Sequence, residues 1–142
     1  MAIDVEPLPG PLGAEVTGVD LSGPVGDELL ADIRAALLEN LVLIFRNQKF
    51  EPEQQIAFAR RFGELQIRLS PKFLLKEHPE VLVLCNRKEN GEFVGATAAY
   101  AGEFWHSDLT YAERPSMGSM LYALEVADEG GDLQRVEHGP HG

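Results

Sequence analysis

Cysteine is almost missing from this 142-residue chain: Cys85 stands alone, so no internal disulfide can form. Long apolar runs are also missing, and no stretch approaches the roughly 18 residues of a membrane-spanning helix. Basic residues are few. Twelve Lys and Arg stand against 23 Asp and Glu, a formal net charge of −11. No basic stripe is available to displace counterions, which argues against nucleic acid and anionic membranes as partners. Asp4 and Glu6 stand where a secretory signal would be basic, and no apolar segment follows them. A cytoplasmic location is the expectation. Internal repeats and low-complexity segments are absent as well. What is there is a globular composition, 44% hydrophobic and 25% charged, in a chain long enough for one domain with a core.

The patterning alternates between two periods. Ala14–Val19 alternates loosely and reads as a short strand, and Leu21-Ser22-Gly23-Pro24 as a turn. From Asp27 to Asn40, Leu30, Ile33 and Leu37, with Leu29 and Leu38 beside them, recur at helical spacing, and Asn40 reads as the terminator. Leu41–Phe45 is a short apolar run suited to a buried strand, followed by a turn at Arg46-Asn47-Gln48-Lys49. Pro52 opens a second helix at the position where its missing N–H costs nothing. Ile56, Phe58, Ala59 and Phe62 are its packing face and Gly63 its end. Residues 64–80 read as irregular, punctuated by Pro71 and Pro79. Val81–Cys85 reads as a buried strand in which Cys85 is a small buried hydrophobe. Asn90-Gly91 signals a hairpin, and Ser116–Val126 a long strand. Two helices among non-adjacent strands give an α+β class.

The chemistry sits in Trp105-His106-Ser107-Asp108. On a strand, residues i and i+2 point to one side, so His106 and Asp108 would reach a common ion. An imidazole and a carboxylate, with a second histidine, make the facial triad of non-haem Fe(II) oxygenases. The tripeptide alone is more often a surface His and Asp on a loop, and Trp105 reads as core packing.

Context narrows the choice. Gly102-Glu103-Phe104-Trp105-His106-Ser107-Asp108-Leu109-Thr110-Tyr111 is followed by Arg114-Pro115-Ser116, Leu121–Val126 and Gly130-Gly131-Asp132. Upstream stand Gly13–Leu21, Leu43-Ile44-Phe45-Arg46-Asn47-Gln48 and Phe58–Leu65. In this order the segments resemble the taurine/2,4-dichlorophenoxyacetate dioxygenase family, over residues 1–132 as its N-terminal part, with 133–142 a non-family tail. The resemblance implies an incomplete double-stranded β-helix, or jelly-roll, with flanking helices. It implies Fe(II) as metal, with 2-oxoglutarate and O2 as co-substrates. The expected reaction hydroxylates a small, anionic organic substrate and releases succinate and CO2. His106 and Asp108 match the first two iron ligands.

The chain also departs from that family. Leu133 stands where the family carries a threonine that binds 2-oxoglutarate, and a leucine donates no hydrogen bond. The family's distal histidine and its co-substrate arginine lie far downstream, which leads to the expectation of a truncated or frameshifted reading frame after Asp132, inactive by itself. His138 and His141 are the alternative donors, in what reads as a frayed tail. In members that take taurine, the positions of Arg68 and Gly102 hold histidine and asparagine, so Arg68 suits another anion. Asn86 and Tyr100 are further pocket candidates, against surface or packing roles for all three. Two other readings stay open: a non-catalytic fragment or pseudoenzyme, and a cupin-like metal-binding module. For the parent protein the expectation is a homo-oligomer acting on a small molecule.

Overall fold

The computed structural model describes residues 3–67, 73–85, 87–93, 95–96 and 105–125. The chain divides into two compact units, Met1–Leu69 with Leu75–Val81, and Ser70–Leu74 with Leu82–Gly142.

The first unit is built around a three-stranded sheet in the order β1-β2-β3. Strand β1 (Asp4–Pro7) runs antiparallel to β2 (Ala14–Thr17), and β2 runs parallel to β3 (Leu43–Phe45). Parallel neighbours need a long crossover, and helix α1 (Asp27–Asn40) supplies it. Ala14 and Val16 point to one face of β2 and are buried with Leu21, Val25, Leu30, Ile33 and Ala36. This is the core.

On α1 the buried stripe is Leu30, Ile33 and Ala36, while Leu38 is exposed. At about 100° per residue, Leu38 lies roughly 140° around the helix from Ile33 and falls off the stripe. The helix closes on Leu41, which takes the left-handed conformation at φ 66° and sends its N–H to Leu37 O. Asn40 thus remains helical, its Nδ2 donating to Ala36 O. Leu41 is spent on the cap and Val42 is exposed, so β3 is shorter than the apolar run suggests.

Helix α2 (Pro52–Arg60) begins with Pro52 in its first turn, and Gln54 Oε1 accepts the Glu51 N–H at 2.7 Å. It buries Ile56 and Phe58. It ends before Gly63: Arg61 and Phe62 donate to Phe58 O and Ala59 O, a tightened last turn. That turn sets the Phe62 ring edge-on to Phe58, with centroids 5.3 Å apart.

Between β3 and α2, Gln48 joins three segments. Its Oε1 accepts the Leu21 N–H at 2.8 Å, and its Nε2 donates to Val19 O and Arg46 O, each at 3.0 Å. Gln54 Nε2 adds a bond to Ser22 O. The turn around Leu21 is therefore held from two sides.

The stretch expected to be irregular contains two strands, β4 (Leu74–Leu75) and β5 (His78–Leu82), which pair as a two-stranded sheet. Pro79 is accommodated with its ring exposed, the edge position that a residue without an N–H can take. Val81–Cys85 is only half-covered, with Leu84 exposed, rather than buried. Among the described residues the pairings of this segment are short, with β4 and with Ala96, and leave its side chains half-covered. Cys85 is accordingly half-buried, and its Sγ accepts the Arg87 N–H.

In the second unit, Cys85 N donates to Ala96 O and Ala96 N to Val83 O. The approach requires Gly95: a Cβ there would sit 2.8 Å from both Val83 O and Cys85 Cβ. Strands β6 (Lys88–Glu89) and β7 (Glu92–Phe93) form a hairpin over Asn90 and Gly91. Both turn residues have positive φ, as a type I′ turn requires. Residues 116–125 form no strand. A strand needs a ladder partner, and none pairs with this segment among the described residues. Among the described residues the fold is α+β, two helices with three small sheets, and they close no barrel. Among them no helix is long and apolar enough to cross a membrane.

Candidate metal site

His106 and Asp108 lie just before and at the start of a tight turn over residues 108–111, not on a strand. Leu109 takes φ 54° there, and its carbonyl accepts the Ala112 N–H. The turn, rather than a pleat, brings the two side chains together. His106 Nε2 stands 3.4 Å from Asp108 Oδ1, with 48% and 35% of the side chains exposed. That separation is longer than an ordinary N–H···O hydrogen bond of about 2.7–3.2 Å. Neighbouring donors at about 2.1 Å from an ion and roughly 90° apart, as in a facial triad, lie about 3.0 Å from each other, so the pair stands within a few tenths of an ångström of what a shared ion needs. The other oxygen of the carboxylate, Oδ2, accepts a hydrogen bond from Ser119 Oγ at 2.9 Å.

Two donors fit an ion, and a third is not supplied by the described residues, which contain no cluster of three His, Cys, Asp or Glu side chains. A second imidazole–carboxylate pair exists in the first unit, His78 Nε2 and Glu53 Oε1 at 3.2 Å. Its spacing is that of a hydrogen bond, and it ties β5 to the first turn of α2. A depression of about 380 Å³ in the same unit is lined by Arg60, Gly63, Glu64, Leu65, Ile67 and Glu80. Its Arg60 and Glu80 are already paired at 2.7 Å.

Arg68, Asn86 and Tyr100, the candidate substrate residues, lie outside the described residues, as do Gly102, Leu133, His138 and His141. Trp105 does not pack in a core: it is 90% exposed. It belongs to a larger uncovered set in the second unit, with Tyr111, Met117, Leu121 and Leu124. The residue that sequence reasoning missed is Ser119. It stands eleven positions beyond Asp108 in Met117-Gly118-Ser119-Met120, and nothing in that string distinguishes it from any surface serine.

Residues 4–134 match the family described as taurine catabolism dioxygenase TauD, TfdA family. Pentalenolactone F synthase of Streptomyces avermitilis is 35% identical over 134 residues, 92% of this chain and 43% of that protein. The alpha-ketoglutarate-dependent 2,4-dichlorophenoxyacetate dioxygenase of Cupriavidus pinatubonensis is 30% identical over 142 residues, 94% of this chain and 50% of that one. The chain thus spans about half the length of these curated relatives or less. Among solved structures, a taurine dioxygenase from Burkholderia xenovorans superposes with a TM-score of 0.53 at 39% identity, over 56% of this chain and 28% of that one.

Proposed function

Since the chain belongs to the taurine catabolism dioxygenase TauD, TfdA family, we propose that it supplies the N-terminal part of an Fe(II)- and 2-oxoglutarate-dependent dioxygenase, with His106 and Asp108 as two ligands of the metal. The observation that carries this reading is the 3.4 Å approach of His106 Nε2 to Asp108 Oδ1, at the positions where the family resemblance puts the metal. The metal, when bound with 2-oxoglutarate and O2, supplies the oxidising chemistry that hydroxylates substrate and yields succinate and CO2. The protein's part is binding and orientation. A neutral His106 offers a lone pair, and Asp108 one negative charge, so a divalent ion held there keeps a net positive charge that favours an anionic co-substrate.

The substrate proposed is a small organic anion, because Arg68 carries a fork suited to a carboxylate or sulfate. The carboxylate-bearing substrate in the name of the Cupriavidus relative agrees with this. Asn86 and Tyr100 are proposed as further pocket residues. Residues 1–132 are proposed as jelly-roll sequence with its flanking helices, and 133–142 as a segment outside it. The parent protein is proposed as a cytoplasmic homo-oligomer. The 142-residue polypeptide by itself is proposed to be catalytically silent. It brings two identified donors and, at Leu133, a side chain that cannot bind 2-oxoglutarate by a hydrogen bond.

The test is a graft. Residues 1–132 replace the matching segment of the 2,4-dichlorophenoxyacetate dioxygenase, and succinate formation from 2-oxoglutarate is measured with Fe(II) and O2. The expected result is turnover that His106→Ala and Asp108→Ala each abolish. A soluble graft that makes no succinate, or makes it equally with both substitutions in place, overturns the reading.

A further inference from the structure

We infer that Ser119 is a positioning residue for the metal site: its hydroxyl holds one oxygen of the Asp108 carboxylate so that the other is presented, beside His106 Nε2, to a divalent cation. The inference rests on the reading of His106 and Asp108 as metal ligands and extends it to a residue that the motif does not contain. The geometry is specific to the two oxygens. Ser119 Oγ donates to Asp108 Oδ2 at 2.9 Å, while Oδ1 is the atom 3.4 Å from His106 Nε2.

The choice of donor matters. A carboxylate on a half-exposed side chain turns about its last torsion, which is broad and roughly two-fold. A donor on one oxygen removes that freedom and fixes which oxygen faces the histidine. A guanidinium or ammonium in the same place would also neutralise the carboxylate and compete with the cation. A serine hydroxyl orients it and leaves the full negative charge for the ion. Partners of this kind behind metal ligands commonly contribute about 10–100-fold in affinity.

Ser119 is exposed and its neighbour Gly118 faces open space. Its hydroxyl therefore stabilises the fold little, and its effect should appear in metal binding. Between the turn at 108–111 and Ser119 the chain runs through Arg114-Pro115-Ser116. Pro115 fixes its own φ and restricts Arg114 before it, so this connection has fewer conformations to lose.

The experiment titrates Mn(II) into the 142-residue chain and follows broadening of the His106 ring resonances by NMR, with a thermal melt of each variant. Ser119→Ala should raise the Mn(II) concentration for half-maximal broadening about 10-fold and leave the melt unchanged. Ser119→Thr, which keeps the hydroxyl, should restore the wild-type value. If Ser119→Ala titrates like wild type while His106→Ala and Asp108→Ala abolish binding, the role of Ser119 is overturned and the metal reading stands. Failure of Ser119→Thr to restore binding overturns the role of the hydroxyl. If the wild-type chain shows no broadening at His106, the metal reading falls and this inference with it.

Discussion

Gln48 is the residue whose replacement should reveal most about how the first unit is held together. Its amide accepts the Leu21 N–H and donates to Val19 O and Arg46 O. Leu21 itself is 1% exposed, so the anchored turn delivers a core side chain. Gln48→Leu keeps the size of the side chain and deletes all three bonds. At about 0.5–1.5 kcal/mol net for each bond, and with water able to reach part of this half-buried site, the loss should be about 2 kcal/mol. For a unit of this size that lowers the melting temperature by roughly 10 °C. Gln48→Glu is the sharper variant. It retains an acceptor for Leu21 but turns a carboxylate toward two carbonyl oxygens, which favours its protonated form and raises its folded pKa above the unfolded value. A raised pKa contributes stability below the unfolded value and loses it as pH rises through the folded one. The Glu variant should therefore recover part of its loss in mild acid, whereas the Leu variant should not. Circular dichroism melts of the α1 and α2 signal at two pH values decide it. A Gln48→Leu chain that melts within a degree of wild type would refute the claim that this amide anchors the turn.

Other substitutions test the core, the turn and the exposed surface. Ile33→Ala, at a fully buried position, should cost about 3 kcal/mol, while Leu38→Ala on the exposed side of the same helix should cost under about 0.5 kcal/mol; equal losses in denaturant unfolding would mean that the stripe on α1 is wrongly placed. The Ser22 hydroxyl, at 2.6 Å, and the Ser22 N–H hold the Asp20 carboxyl below its ordinary pKa. A depressed carboxyl pKa gives stability that is present above the unfolded value and lost as pH falls through the folded one, so Ser22→Ala should move the Asp20 NMR titration upward; an unmoved midpoint would contradict the assigned cause. Trp105, Tyr111, Met117, Leu121 and Leu124 are all at least 71% exposed, a density of uncovered apolar surface that promotes association. Light scattering by the 142-residue chain should rise with concentration despite its charge of −11, because that repulsion is screened beyond about 8 Å at physiological salt. Leu121→Ser with Leu124→Ser should reduce the scattering, and a wild-type chain that stays monomeric would contradict the expectation.

Where local chemistry decides, the sequence was legible. Pro52 marks a helix start, Asn90-Gly91 a two-residue hairpin, and Leu30 and Ile33 a buried stripe, because each depends on residues a few positions away. Where tertiary covering decides, pattern alone misled. Val81–Cys85 has the composition of a buried strand, but its pairings among the described residues, with β4 and with Ala96, are short and leave its side chains half-covered, and Trp105 is 90% exposed. Ser116–Val126 has strand composition, yet its described part lacks a ladder partner. Pro79 looked like a breaker because edge and interior strand positions are the same in one dimension. The approach of His106 to Asp108 was anticipated from their spacing, though the turn at Leu109 rather than a strand juxtaposes them. Ser119 was invisible, since a hydrogen bond across eleven residues leaves no periodic trace.

The central claim is that His106 and Asp108 form the metal-binding pair, and the molecule contains its own control. His78 and Glu53 are an imidazole–carboxylate pair of nearly the same spacing, 3.2 Å against 3.4 Å. The decisive measurement maps broadening by substoichiometric Mn(II) over all assigned resonances of the 142-residue chain. The account predicts broadening centred on His106 and Asp108, with His78 and Glu53 spared. Broadening centred on His78 and Glu53, or none at His106, would contradict it.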